Sequence, residues 1–106
     1  MADDSEHLSV VVERHDNQTV VRLGGELDIA TAPAFADALS EANSEIVVDF
    51  AGLEFLDASG LDALARGRER AEQHGYRLVV VNAGRLAQRM FQLTGLDYLL
   101  SGSDAL

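Results

Sequence analysis

The chain has 106 residues, 47% of them apolar and 25% charged, with 18 acidic side chains against eight basic ones and a net charge of −10. That size suits one domain with a single core, and the acidity argues against nucleic acid or anionic lipid as partner, both of which need a basic surface. Cysteine and lysine are absent, which excludes disulfides, thiolate metal sites, cysteine nucleophiles, Schiff-base lysines and P-loops.

Charge is unevenly spread. Residues 1–62 hold 14 acidic side chains and only Arg14 and Arg22, whereas residues 63–106 hold six arginines against Glu69, Glu72, Asp97 and Asp104. No apolar run approaches the ~18 residues of a membrane span and no basic-then-apolar leader is present, so a cytoplasmic protein without membrane contact is expected.

Residues 1–7 read as a polar, flexible tail and 8–106 as a single domain. Leu8 to Glu13 is valine-rich and predicts a first strand; His15-Asp16-Asn17-Gln18 supplies a turn, and Thr19 to Leu23 predicts the returning strand of a hairpin. Gly24-Gly25 loosens the chain before Glu26-Leu27-Asp28. Phe35, Ala38, Leu39 and Ala42 fall at helical spacing, with Thr31 as the expected cap and Pro33 in the first turn, where its missing N–H costs nothing.

Ile46 to Phe50 is an apolar, β-branched run that predicts a buried strand. Asp57-Ala58-Ser59-Gly60 breaks the run, and from Leu61 the apolar positions Leu61, Leu64, Ala65 and Ala71 take helical spacing. Ser59 is the expected N-cap of this helix, with Asp62 three residues on. Arg66, Arg68, Glu69, Arg70, Glu72 and Gln73 form its wet side, and Gly75 ends it. Arg77 to Val81 predicts another buried strand; Leu86, Met90 and Leu93 mark a further helix stopped at Gly95. Tyr98-Leu99-Leu100 reads as a short last strand, and Ser101 to Leu106 as a helix beginning.

The order ββαβαβα predicts an α/β fold. An opening antiparallel hairpin precedes later strands that are parallel because helices join them, a mixed sheet of four to five strands with three to four helices. In such sheets the loops beyond the strands' carboxyl ends carry function. Two loops lie there, Gly24–Thr31 and Asp57–Gly60, so Asp28, Thr31, Asp57 and Ser59 are expected near one another.

Catalytic templates fit poorly. His7, His15 and His74 have no metal-ligand spacing. A helix of roughly 15 residues at ~1.5 Å rise holds His74 some 20 Å from Ser59, which excludes a serine–histidine–aspartate triad. Asp28, Glu54, Asp57 and Asp62 could form an acidic metal site, although such residues more often cap helices and shape turns. From pattern alone Ser59 is either a plain cap or a modified residue.

Gly25-Glu26-Leu27-Asp28-x-x-Thr31-Ala32, then Val48-Asp49-Phe50 and Phe55-Leu56-Asp57-Ala58-Ser59-Gly60-Leu61, resemble the STAS domain, and the whole chain from about Leu8 to Leu100 resembles a free-standing bacterial anti-sigma factor antagonist. The resemblance implies a STAS-like fold and a non-enzymatic protein-interaction switch without cofactor or metal, monomeric or weakly dimeric. It implies that Ser59 is phosphorylated by a partner serine kinase that is also the anti-sigma factor, and that a serine phosphatase reverses this. The unmodified form would bind the kinase and release a sigma factor. Asp28, Thr31, Asp57, Ala58, Ser59, Gly60 and Leu61 are the implied partner-binding residues. Ala58 stands where many members have serine, which removes an alternative acceptor. The short C-terminus implies that the family's usual final helix is absent or reduced to a turn. Two alternatives stay open: a STAS subunit of a lipid-transport or stressosome-like complex, and a small nucleotide- or metal-binding enzyme using the acidic loops.

Overall fold

The structure, a computed structural model, describes residues 2–4 and 7–100. Valine-rich segments form a mixed five-stranded sheet whose spatial order follows chain order: β1 (Ala2–Asp4), β2 (Leu8–Arg14), β3 (Gln18–Leu27), β4 (Glu45–Leu56) and β5 (Leu78–Val81). β2 and β3 form the predicted antiparallel hairpin, and β3–β4 and β4–β5 are the predicted parallel pairs. Helices α1 (Ala32–Ser40), α2 (Ala58–Gln73) and α3 (Arg85–Thr94) connect or follow these strands.

Four expectations are revised. Ala2–Asp4, read from sequence as part of the tail, pair antiparallel with Ser9–Val11, which satisfies backbone groups on the outer edge of β2. Gly24-Gly25 do not loosen the chain but lie within β3, which continues to Leu27. Gly25 has φ +93°, and a Cβ there would sit 2.3 Å from the His7 carbonyl oxygen, so only glycine fits. The Tyr98–Leu100 strand is instead a 3₁₀ turn, Asp97–Leu99, followed by a single parallel bridge from Leu100 to Val80. β4 runs six residues past Phe50, to Leu56. The helix expected over Ser101–Leu106 lies outside the described residues.

Strand alternation divides the side chains. Leu8, Val10, Val21, Leu23, Ile46, Val48, Phe50, Leu78 and Val80 point to one face and share a core with Phe35 and Leu39 of α1, Leu61 and Leu64 of α2, and Phe91 of α3. The alternate positions Val20, Val47 and Val81 form a smaller cluster on the other face. Beside it Asp49, buried at the sheet surface, accepts hydrogen bonds from Arg22 (2.8 Å), Asn82 Nδ2 (2.9 Å) and the Ala51 N–H (2.9 Å). Burial pushes the Asp49 carboxyl up, but these donors and the Arg22 charge outweigh it and hold the group below the usual carboxylate range. Among the described residues no helix is long and apolar enough to cross a membrane.

Candidate functional site

Register places the two candidate loops side by side. Leu27 pairs with Leu56 at the carboxyl ends of β3 and β4, so the next residues, Asp28 and Asp57, begin adjacent loops. The Asp57 N–H donates to the Leu27 carbonyl at 3.2 Å and ties the loops together. Each aspartate then organises its own backbone. Asp28 Oδ1 accepts from the N–H groups of Ala30 (3.0 Å) and Thr31 (3.1 Å). The Thr31 hydroxyl accepts from the Asp28 N–H (2.9 Å) and donates to the Glu26 carbonyl (2.9 Å). Thr31 is the N-cap residue of α1 by position, but its hydroxyl serves the loop and not the helix.

The cap of α2 is Asp57, not Ser59. Its Oδ1 accepts from the N–H groups of Ser59 (2.8 Å) and Gly60 (3.4 Å). An extended residue with a short carboxylate meets the first free helix amides and favours the positive end of the helix. Asp62, expected to complete a capping pattern, pairs instead with Arg66 at 2.8 Å. Ser59 therefore lies inside the first turn, half-buried. Its hydroxyl makes no hydrogen bond among the described residues. The one hydroxyl presented at this turn is chemically uncommitted.

Gly60 explains how closely this turn sits on the sheet. A Cβ there would fall 2.6 Å from Leu56 Cδ1 and 2.7–2.8 Å from Leu27 Cγ and Cδ2. The missing side chain lets the start of α2 settle onto the two strand ends. Above it, Ile29, Ala32, Pro33 and Ala36 from the first loop and α1 face Ala58, Ser59, Asp62 and Arg66 across an open groove of about 500 Å³.

Of the seven residues implied as partner-binding, Ala58 is exposed, Asp28, Asp57 and Ser59 are half-buried, and Thr31, Gly60 and Leu61 are buried. Asp28, Asp57 and Ser59 do share one end of the sheet, whereas Glu54 lines a different groove on the α3 side. Among the described residues no group of three or more carboxylates or histidines is arranged to hold a metal ion. Sequence reading missed Ile29, which is 78% exposed in the loop beside Ser59. A β-branched apolar residue in a turn was the available signal. Arg66, read from sequence as part of the helix's wet side, is indeed exposed, and it also lines this groove with Ser59 and Asp62.

The chain is similar to known proteins over most of its length. A family model described as Mlab, STAS domain matches residues 10–101. The anti-sigma-F factor antagonist RsfB of Mycobacterium tuberculosis is 34% identical over 94 residues, covering 85% of this chain and 76% of the relative. The crystal structure of an anti-sigma factor antagonist from Mycobacterium paratuberculosis superposes with a TM-score of 0.75 at 33% identity, over 92% of this chain and 87% of that one. The Bacillus cell fate determinant SpoIIAA in its phosphorylated form gives a TM-score of 0.72 at 25% identity, over 86% and 87% of the two chains. Sheet order, helix placement and the matched span agree: the chain belongs to the STAS domain family.

Proposed function

We propose that this STAS domain is an anti-sigma factor antagonist, a cytoplasmic protein-interaction switch and not an enzyme. In this reading it binds an anti-sigma factor that is also a serine kinase, is released when that kinase phosphorylates Ser59, and is restored by a serine phosphatase. The observation that carries the reading is the state of Ser59. Its hydroxyl is free of hydrogen bonds among the described residues because Asp57 caps the helix. Ala58 leaves no neighbouring hydroxyl to compete.

The surroundings fit a contact surface better than a reaction centre. Exposed Ile29 and Pro33 stand across the groove from Ser59 and Ala58, and the nearby carboxylates Asp28 and Asp57 are engaged with backbone amides. Thr31, Gly60 and Leu61 act from beneath, by holding the loops in shape. A phosphate brings roughly −1.5 to −2 charges and three oxygens to this groove. A partner surface fitted to the bare hydroxyl would have to desolvate that group, which costs several kcal/mol, on the order of a micromolar binding free energy.

The test is phosphorylation by the anti-sigma kinase of the same organism, with ATP. Mass spectrometry should place one phosphate on Ser59, and titration should show binding to the kinase at least tenfold weaker for the phosphoprotein. Label persisting in Ser59→Ala, or a phosphoprotein that binds as tightly as the unmodified one, would overturn the reading.

A further inference from the structure

Helix α3 leaves apolar surface uncovered. It is anchored by Phe91, fully buried and edge-on to Phe50 with ring centroids 6.0 Å apart. On its other apolar stripe Met90 packs half-buried against the core, but Leu86 and Leu93 do not: they are 80% and 74% exposed. Phe55, near the end of β4, is 50% exposed. The cause lies in the sheet. Along β4 only Ile46–Asp49 pair with β5, and Asn82, with φ 60°, then turns the chain away. The last turn-ward residues of β4 thus have no strand beside them on that side among the described residues. Between them and α3 lies an apolar groove of about 500 Å³. Clustered exposed leucines and an aromatic beside a groove mark an interaction surface.

Charge indicates what fits there. Helix α3 carries Arg85 and Arg89 and no acidic residue, and both arginines line the groove. Neither forms an ion pair among the described residues. Of the other six arginines, Arg14, Arg22, Arg66, Arg68 and Arg77 each pair with a carboxylate, and Arg70 does not among the described residues. The groove thus presents two guanidinium groups against the one carboxylate of Glu54, a net positive rim in an acidic chain that suits carboxylates brought from outside.

We propose that this groove is a second docking surface for the anti-sigma partner and seats an apolar segment of that protein flanked by carboxylates. The proposal rests on the function proposed above. Leu56 lines the groove and leads directly into Asp57 and Ser59, so groove and phosphoacceptor lie on two sides of one turn and a single partner can span both. A second copy docked groove to groove would bring four arginines together, and an anionic bilayer would be repelled by the chain's net charge.

The experiment titrates the anti-sigma factor with wild type, Leu86→Ser/Leu93→Ser, Arg85→Glu/Arg89→Glu and, as a site control, Ser59→Glu. Thermal melting checks each fold, and the substituted groove side chains are exposed. The leucine pair should lose at least tenfold in affinity, and the charge reversal several-fold with a flatter salt dependence. If wild type binds, Ser59→Glu does not, and the groove variants bind like wild type, the groove proposal is overturned while the function stands. If wild type itself does not bind, the functional reading fails and takes this one with it. Two further outcomes also overturn the groove proposal. One is a sedimentation dimer lost in the leucine variant, which assigns the surface to a second copy. The other is cosedimentation with phosphatidylglycerol vesicles lost in that variant, which assigns it to lipid.

Discussion

Gly60→Ala is a direct test of how the turn that carries Ser59 is built. The added methyl would meet Leu56 Cδ1 at 2.6 Å, Leu27 Cγ at 2.7 Å and Leu27 Cδ2 at 2.8 Å. Carbon atoms prefer roughly 3.5–4.0 Å, so neighbours must move by about 1 Å. Leu27 is fully buried and is met at its branch carbon, so rotating one end methyl does not relieve the clash. Overpacking of this kind costs about 1–3 kcal/mol, against a helix-propensity gain of up to ~1 kcal/mol for replacing glycine. A net loss of about 1–2 kcal/mol lowers the melting temperature of a domain this size by roughly 5–15 °C. Gly67→Ala is the matched comparison within α2. Its methyl would meet only the end carbon of Leu39 closely, Cδ1 at 2.6 Å, with Leu39 Cβ and Cγ at 3.5 Å. One methyl rotation offsets little of the ~1 kcal/mol gained in mid-helix, so this variant should melt at or above wild type. Differential scanning calorimetry of the three proteins decides the matter. If Gly60→Ala melts with wild type, or both variants fall equally, close seating of α2 on Leu27 and Leu56 is not what requires glycine here.

Further outcomes follow from the same geometry. Asp57→Ala removes the cap of α2 and should cost about 1 kcal/mol, read by chemical denaturation; no loss would mean that another group caps the helix. Phosphorylated protein should melt within a few degrees of the unmodified form. The helix terminus favours an anion by up to ~2 kcal/mol, the Asp28 and Asp57 carboxylates oppose it, and Arg66 lies along the same groove. A phosphoprotein that unfolds would show that the hydroxyl matters for stability. Asp49 should contribute to an acid limb of stability. Its folded-state value is depressed, so its contribution is complete above the ordinary carboxylate value near ~4 and is lost as pH falls through the folded value. Asp49→Asn should therefore differ most from wild type at neutral pH and converge with it in acid; a gap that stays constant through the acid range would rule the linkage out.

Local patterning was enough to read most of this fold. Valine-rich runs, the Asn17-centred turn, Pro33 at a helix start and Gly75 and Gly95 at helix ends are short-range signals, because strand alternation, helix period and backbone conformation are set by neighbouring residues. The STAS motifs likewise lie in two contiguous stretches, which is why the family was legible. Tertiary structure decided the rest. Whether Ser59 or Asp57 caps α2 depends on where β4 ends, and β4 runs to Leu56 because Gly24–Leu27 of a distant strand supplies its partner. The same pairing sets Asp28 beside Asp57. Leu86 and Leu93 match a helix in sequence whether they face core or solvent. They end at the surface because β5 stops at Val81, and periodicity carries no record of a neighbour that is absent from that side.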